Sequence, residues 1–211
     1  MQPMKRKLIL DFKLWPKLFR NLLFWLIFRY DKWHLRNFNG VRQYQETAAK
    51  LTLEFEPALL VELGCGLGQI SELIPVGVQK ILIDHDRRLQ KPINFIFRKH
   101  NIEFIHADFL EPENLIEKIG HSSQIDVLIF VNAAHNLSES NLINLVAALH
   151  ENFNIKFLLI DLKVKESESF RHDIEVLDSI CELKKFTLVP DLSTGLGTDA
   201  GLAILTPRKL K

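Results

Sequence analysis

Seven apolar stretches of strand length occupy the chain from residue 57 onward, and their spacing constrains the fold more than any other feature. The strands are predicted at 58–63, 80–85, 102–107, 126–131, 156–161, 185–190 and 201–206. The first five are apolar without alternation, which is typical of buried parallel strands, and the intervals leave room for crossover helices. The last two are separated by "DLSTGLGTDA", which is too short for such a helix, so an antiparallel hairpin is expected there.

Five strand–helix units followed by a hairpin predict an α/β domain over residues 41–211. The expected architecture is a Rossmann-like, doubly wound sheet of seven strands with an antiparallel last strand. A helix over 41–53 is expected to precede the first strand, and Ser138 is the candidate N-cap of the last crossover helix. Residues 1–40 form a basic, aromatic helical segment in front of the domain. The crossover helices are predicted at 68–74, 87–98, 112–119 and 138–150.

The first strand ends in an acidic residue and leads into a glycine-rich turn, "VELGCGLG". Gly64, Gly66 and Gly68 lack Cβ atoms, so the backbone can turn tightly and a ligand can lie against it. The spacing G-x-G-x-G is one residue shorter than the fingerprint of dinucleotide-binding sites. Glu62 would repel a diphosphate but suits a ligand that carries an ammonium group. The turn therefore predicts a cofactor site and disfavours nicotinamide dinucleotides.

This combination resembles motif I of the class I S-adenosylmethionine-dependent methyltransferases, and the resemblance extends over residues 57–206. "ILIDHD" ends the second strand with Asp84, and "FIHADFL" ends the third with Asp108. The resemblance implies that S-adenosyl-L-methionine is the cofactor, that Asp84 binds its two ribose hydroxyls, and that Asp108 contacts its adenine amino group. Three neighbours of these motifs complete the expected cofactor-binding set: His85, Ala107 and Asn132.

Several of these residues also have a purely structural explanation. Asp84 and Asp108 are each placed to cap a following helix, and Asp86 is better explained as a cap than as a ligand. Cys65, also in the cofactor set, is interpreted as a small filler of the turn that offers its backbone N–H. Cys181 is interpreted as a core residue on a helix. Two cysteines give no disulfide framework and no metal-ligand cluster, which indicates a reduced, cytoplasmic setting.

The segment "NAAHNL" follows the fourth strand, where this family brings the methyl donor and the acceptor together. Enzymes of the family that methylate base amino groups carry Pro-Pro and an aromatic residue there, whereas this chain has two alanines and His135. Imidazole titrates near neutral pH, so His135 is the candidate catalytic base, or else only a hydrogen-bonding or positioning residue. Asp161, Asp191 and Ser193 follow later strands at the same edge, either as ligand contacts or as caps and turn formers.

The N-terminal segment differs from the rest of the chain in charge. Residues 1–50 contain eleven Lys and Arg and three acids, a net +8, while the remainder has sixteen against twenty-three, a net −7. Its apolar run "LLFWLIF" is too short to span a bilayer. We expect residues 1–33 to lie on a membrane surface, at its cytoplasmic face, or to pack as a lid or a homodimer contact.

A looser resemblance, to methyltransferases encoded in bacterial surface-polysaccharide clusters, rests on four residues that precede the glycine turn: Trp33, His34, Arg42 and Tyr44. It implies that Arg42 and Tyr44 bind the carboxylate of the donor and that His34 is a second catalytic candidate near the acceptor. Ordinary packing is the alternative for all four residues.

The sequence as a whole predicts a methyltransferase that O-methylates a small molecule or a glycan. One rival is an RNA methyltransferase that uses the basic segment. Another is a non-catalytic cofactor-binding module that acts through that segment. Nucleic acid is disfavoured as a partner because the basic segment is heavily apolar and the Pro-Pro motif is absent.

Overall fold

The computed structural model describes residues 15–31, 34, 43–120, 124–164, 171–189 and 200–208. The strands are β1 (Leu59–Leu63), β2 (Gln79–Asp84), β3 (Ile102–His106), β4 (Ile125–Phe130), β5 (Ile155–Lys163), β6 (Cys181–Leu188) and β7 (Ala200–Pro207). They form one sheet in the order β3-β2-β1-β4-β5-β7-β6. The first five strands run parallel, and β7 pairs antiparallel with both β5 and β6. The predicted doubly wound sheet with an antiparallel last strand is confirmed.

The helices in the described part of the chain are α1 (Trp15–Phe28), α2 (Gln43–Leu53), α3 (Gln90–Ile96), α4 (Pro112–Ile119) and α5 (Glu139–Phe153). Ser138 caps α5 as predicted, because its hydroxyl accepts a hydrogen bond from the Asn141 N–H. None of these helices is long and apolar enough to cross a membrane.

Two predicted helical intervals turn out differently. The interval 68–74 contains only a short 3₁₀ turn, Ser71–Leu73. Pro75 follows, and a proline disfavours helical geometry in the residue before it; Ile74 is accordingly extended, with ψ 137°. After β5, the described residues 171–180 form successive turns rather than a fifth crossover helix.

The core lies on both faces of the sheet, because successive strand residues point to opposite sides. Val61 packs on the face covered by α4 and α5, whereas its neighbour Leu60 packs with α2 on the other face. β3 was expected to be buried, but it is the edge strand and Glu103 is exposed. Cys181 is buried, as predicted, although it begins strand β6 rather than lying on a helix.

The N-terminal segment packs on the domain where the structure describes it. Phe24 of α1 joins a cluster with Leu67, within the glycine turn, and with Ile93 of α3. On the same helix, Arg20 donates two hydrogen bonds to the Glu72 carboxylate, at 3.1 and 3.3 Å. The helix therefore covers the domain beside the carboxyl ends of β1 and β2.

Candidate functional site

The turn after β1 is hydrogen-bonded to the neighbouring strand β2. The Gly66 N–H donates to Asp84 Oδ2 at 2.9 Å, and the Cys65 N–H donates to the Ile83 carbonyl at 3.0 Å. The expectation that Cys65 offers its N–H to a ligand is therefore wrong, because that donor already belongs to the turn. The Cys65 side chain is buried and fills space, as expected.

The glycines of this turn are required by both backbone conformation and close contacts. Gly64 and Gly66 have φ of 66° and 55°, which L side chains rarely adopt. A Cβ on Gly64 would collide with the Cβ of Ala133, and one on Gly66 would lie 2.9 Å from His34 Nδ1. The turn thus brings together the segment that follows β4 and the segment that follows α1. A Cβ on the third glycine, Gly68, would meet the Phe97 ring at 2.7 Å, so that position serves packing.

Asp84 lies at the end of β2 with only 2% of its surface exposed. Besides the Gly66 N–H, its carboxylate accepts the Asp86 N–H at 3.0 Å, and His85 Nδ1 lies 3.3 Å from the same Oδ1. Each carboxylate oxygen has two lone pairs, so Oδ2, which among the described residues accepts only from Gly66, keeps further acceptor capacity. Asp84 can therefore hold the turn in place and still accept hydrogen bonds from ligand hydroxyls.

Glu62 is buried at the end of β1, where the Ser71 hydroxyl donates to its Oε2. Burial raises the pKa of Glu62 to about 7, despite the hydrogen bonds from Ser71. At neutral pH this carboxyl is consequently close to half-protonated. A cationic group beside it would favour the charged form, which is the behaviour expected of a partner for an ammonium group.

His34, the second catalytic candidate, lies against the glycine turn. Asp86 is the reason, since it accepts the Asp31 N–H at 2.9 Å and so ties this segment to the end of β2. The His34 ring stacks edge-on with Tyr30, and within the described residues its buried Nε2 has no hydrogen-bond partner. Burial lowers its pKa, although Asp84 and Asp86 act in the opposite direction. The side chain is thus a neutral imidazole that faces the cofactor end of the site.

Tyr44 is buried in α2, and its hydroxyl accepts a hydrogen bond from the Gln45 amide at 3.2 Å. The same amide donates to Gln69 Oε1 at 2.8 Å, which joins α2 to the residues after the glycine turn. Gln45 and Gln69 were not predicted from the sequence. Four residues with predicted or alternative roles lie outside the described residues: Trp33, Arg42, Asp191 and Ser193.

The end of β3 contacts the end of β2 through the Ala107 N–H, which donates to the Asp84 carbonyl at 3.2 Å. Asp108 is exposed, and its Oδ1 accepts the Leu110 N–H at 3.0 Å. It does not cap α4, whose N-cap position is held by Glu111. The capping alternative for Asp108 is therefore wrong, and its exposed carboxylate directly follows the residue that bonds to Asp84.

A buried ion pair fixes the segment after β4. Asp161 Oδ1 accepts the Asn132 N–H at 2.7 Å, and Asp161 Oδ2 accepts from Arg171 Nε at 2.6 Å. Arg171 also donates from Nη2 to Asn132 Oδ1 at 3.3 Å. Asn132 has a φ of 59°, a left-handed conformation that asparagine tolerates better than most residues. Asp161 is thus neither a cap nor a turn former. Arg171 was not identified from the sequence as a residue of the site. Asp161 at the end of a buried strand could have indicated a cation nearby, because a buried carboxylate needs one.

His135 lies in a 3₁₀ turn, Ala134–Asn136, directly after this fixed segment. Burial lowers the pKa of His135 to about 4, and the positive charge of Arg171 and the neighbouring His172 add to the effect. His172 is itself held against the Ala134 carbonyl, at 3.2 Å from Nε2. The imidazole of His135 is therefore neutral at pH 7, and it is a weaker base than an exposed histidine.

No protein-family model and no curated protein matches the sequence. Solved structures match the fold. The N-methyltransferase NodS from Bradyrhizobium japonicum WM9, in complex with S-adenosyl-L-homocysteine, is 12% identical, with a TM-score of 0.61 over 90% of this chain and 99% of NodS. Magnesium protoporphyrin IX methyltransferase from Synechocystis PCC 6803, with bound S-adenosylmethionine, is 12% identical, with a TM-score of 0.58 over 89% of this chain and 91% of that enzyme.

A TehB-like S-adenosylmethionine-dependent methyltransferase from Corynebacterium glutamicum is 18% identical, with a TM-score of 0.56 over 79% of this chain and 89% of that one. At these identities the likeness concerns the fold. The chain has the fold of the class I methyltransferases, as its motifs predicted.

Proposed function

We propose that the protein is an S-adenosylmethionine-dependent methyltransferase that O-methylates a small molecule or a glycan. One observation supports the first part of this proposal, that S-adenosylmethionine is the methyl donor. A bare glycine turn after β1 is hydrogen-bonded to a buried acid, Asp84, at the end of β2, on a sheet with a reversed seventh strand. In open α/β sheets, ligands bind outside the carboxyl ends of the strands, where this turn lies.

The residues around the turn fit the chemical groups of the donor. Glu62, with its pKa near 7, suits an ammonium group, and Asp84 retains acceptor capacity for ribose hydroxyls. His34 packs against Gly66 through Nδ1, and its Nε2, buried without a partner in the described residues, can hydrogen-bond to a polar group of the cofactor. Asp108 is exposed after β3, and its carboxylate can accept a hydrogen bond from the adenine amino group. When bound, this cofactor supplies a methyl group on a sulfonium that a nucleophile can attack.

The acceptor is proposed to bind beside the segment after β4. This segment lacks the Pro-Pro-aromatic pattern of enzymes that methylate base amino groups, which favours a hydroxyl as the acceptor. A hydroxyl must lose its proton as its oxygen bonds to the methyl group. His135 is neutral and can take that proton. The glycan as acceptor class is supported by the sequence pattern around Trp33 to Tyr44.

Calorimetry with S-adenosylhomocysteine and, separately, with NAD tests the cofactor. We expect binding of the first and none of the second; the reverse result, or no binding of either, would contradict the proposal. Transfer of a labelled methyl group to a panel of sugars, hydroxylated small molecules and RNA tests the acceptor. Labelling of RNA alone would support the rival RNA methyltransferase, and binding without any labelled product would favour a non-catalytic module.

A further inference from the structure

The helix α1 presents apolar side chains on two sides. Its inner side packs on the domain through Phe24 and the Arg20–Glu72 ion pair. Its outer side is formed by four residues that recur at helical spacing, so they lie on one face. They are Phe19, Leu23, Leu26 and Ile27, with 66%, 42%, 47% and 59% of their surface exposed. A helix that is apolar on both sides needs a second apolar environment for the side that the domain leaves open.

The domain itself presents a further exposed aromatic side chain next to α1. Phe95 of α3 is 55% exposed, and its ring packs edge-on against Phe24 at 5.3 Å between centroids. Two arginines lie over aromatic rings of this region: Arg98 lies 5.6 Å from the Phe95 ring centre, and Arg29 lies 5.7 Å from that of Trp25. Exposed aromatic side chains next to cations are typical of a surface that sits at a membrane–water interface.

Charge decides which occupant fits this surface. Residues 1–30 contain seven Lys and Arg and one acid, a net +6. Lys17 and Arg20 are compensated by Glu72, but α1 contains no acidic residue of its own. A symmetric dimer through this face would bring two such basic segments together, and like charges disfavour that contact. An anionic lipid surface offers both the opposite charge and an apolar interior.

We propose that the outer face of α1, formed by Phe19, Leu23, Leu26 and Ile27 together with Phe95, docks on the surface of an anionic lipid bilayer. The protein lies on the membrane in this arrangement and does not cross it. The chain runs from α1 through Tyr30 and Asp31 to His34, which contacts the glycine turn. The docked face is therefore continuous with the segment that covers the cofactor end of the site, so an acceptor in or on the lipid surface is within reach of this part of the molecule.

Co-sedimentation with vesicles tests the proposal and needs neither cofactor nor acceptor, so its outcome is independent of the proposed methyltransferase activity. The full chain is mixed with vesicles of phosphatidylcholine and phosphatidylglycerol, or of phosphatidylcholine alone. We expect binding to the first and much weaker binding to the second. The double variant Phe19→Glu/Ile27→Glu should partition at least about 10-fold less, because it places two carboxylates in the interface.

Val76→Glu is the matched control, since Val76 is also an exposed apolar residue, at 50%, but lies in the loop before β2. This variant should sediment like the wild type, and circular dichroism should show that all variants are folded. The proposal is overturned if the intact chain stays in solution with anionic vesicles. It is also overturned if the double variant sediments as well as the wild type, or if light scattering without vesicles shows a dimer that the double variant dissociates.

Discussion

The two halves of the candidate site are held by different kinds of contact. On the cofactor side, backbone N–H groups of the turn bond to a carboxylate and a carbonyl of the next strand, as in Gly66 to Asp84. On the acceptor side, Asn132 is held by a buried ion pair between Asp161 and Arg171, which lie 29 and 39 residues further along the chain. The first half is local to the β1–β2 unit, whereas the second depends on the packing of distant segments.

This difference has a physical consequence for how each half responds to mutation. A backbone-bonded turn keeps its shape when one ligand-facing side chain changes, so variants there should alter affinity more than folding. A buried ion pair leaves an uncompensated charge when one partner is removed, so variants there should alter folding first. The predictions for Arg171 and Asp84 test this contrast, and those for Glu62 and His135 test the protonation of one group in each half; they are ordered from the largest effect to the smallest.

Arg171→Met should lower the free energy of unfolding by about 3–5 kcal/mol, because Asp161 then remains buried without its cation. Denaturant unfolding measures this effect. Asp161→Asn in the same chain should restore part of the loss, since it removes the charge and keeps an acceptor for the Asn132 N–H. Arg208→Met, at an exposed arginine, is the control. If the two arginine variants are equally stable, the ion pair does not hold the acceptor side.

Glu62→Gln should change the pH dependence of stability. The pKa of Glu62 is raised from 4.5 to about 7 in the folded protein. The stability that the protonated side chain contributes is therefore fully present below pH 4.5 and is lost as the pH rises through 7. Relative to the wild type, the free energy of unfolding of the variant should therefore rise by on the order of 3 kcal/mol as the pH is raised from about 5 to about 9. Glu46→Gln, at an exposed residue of α2, should show no such trend. Parallel stability curves for Glu62→Gln and the wild type would contradict the raised pKa.

His135→Ala should lower turnover by about 100-fold. This is the lower end of the range for loss of a general base, because the low pKa of His135 makes the imidazole a weak base. Since the pKa of His135 is about 4, the wild-type rate should show no inflection near pH 6.5 from this residue. Donor binding and melting temperature should be unchanged. His34→Ala serves as the comparison, and if it alone abolishes turnover at intact donor affinity, His34 is the base.

Asp84→Asn should weaken binding of S-adenosylhomocysteine by about 10-fold while the fold is retained. The amide oxygen can still accept the Gly66 N–H, but the amide nitrogen cannot accept the Asp86 N–H, so the variant removes the charge and one backbone hydrogen bond while the turn keeps its own. Asp178→Asn, at an exposed aspartate, is the control. Calorimetry gives the affinity, and unaltered binding would limit Asp84 to a role in the turn.

Local sequence determined the sheet and the cofactor half of the site. Continuous apolar runs gave the parallel strands, and the short link before β7 gave its reversed direction, because both follow from chain length and periodicity. The glycine turn and Asp84 could be predicted for the same reason: they lie at the ends of two strands that are consecutive in sequence and paired in the sheet.

Tertiary structure alone decided the rest. Arg171 pairs with Asp161 only ten residues before it, but the two hold Asn132 from 39 and 29 residues away along the chain, and no sequence pattern connects them to it. His34 lies at the glycine turn because Asp86 accepts the Asp31 N–H. The pKa values of Glu62 and His135 depend on burial that only the packed molecule creates. Sequence periodicity specifies which face of an element is buried, but the partners of an individual polar group depend on contacts between segments far apart in the chain.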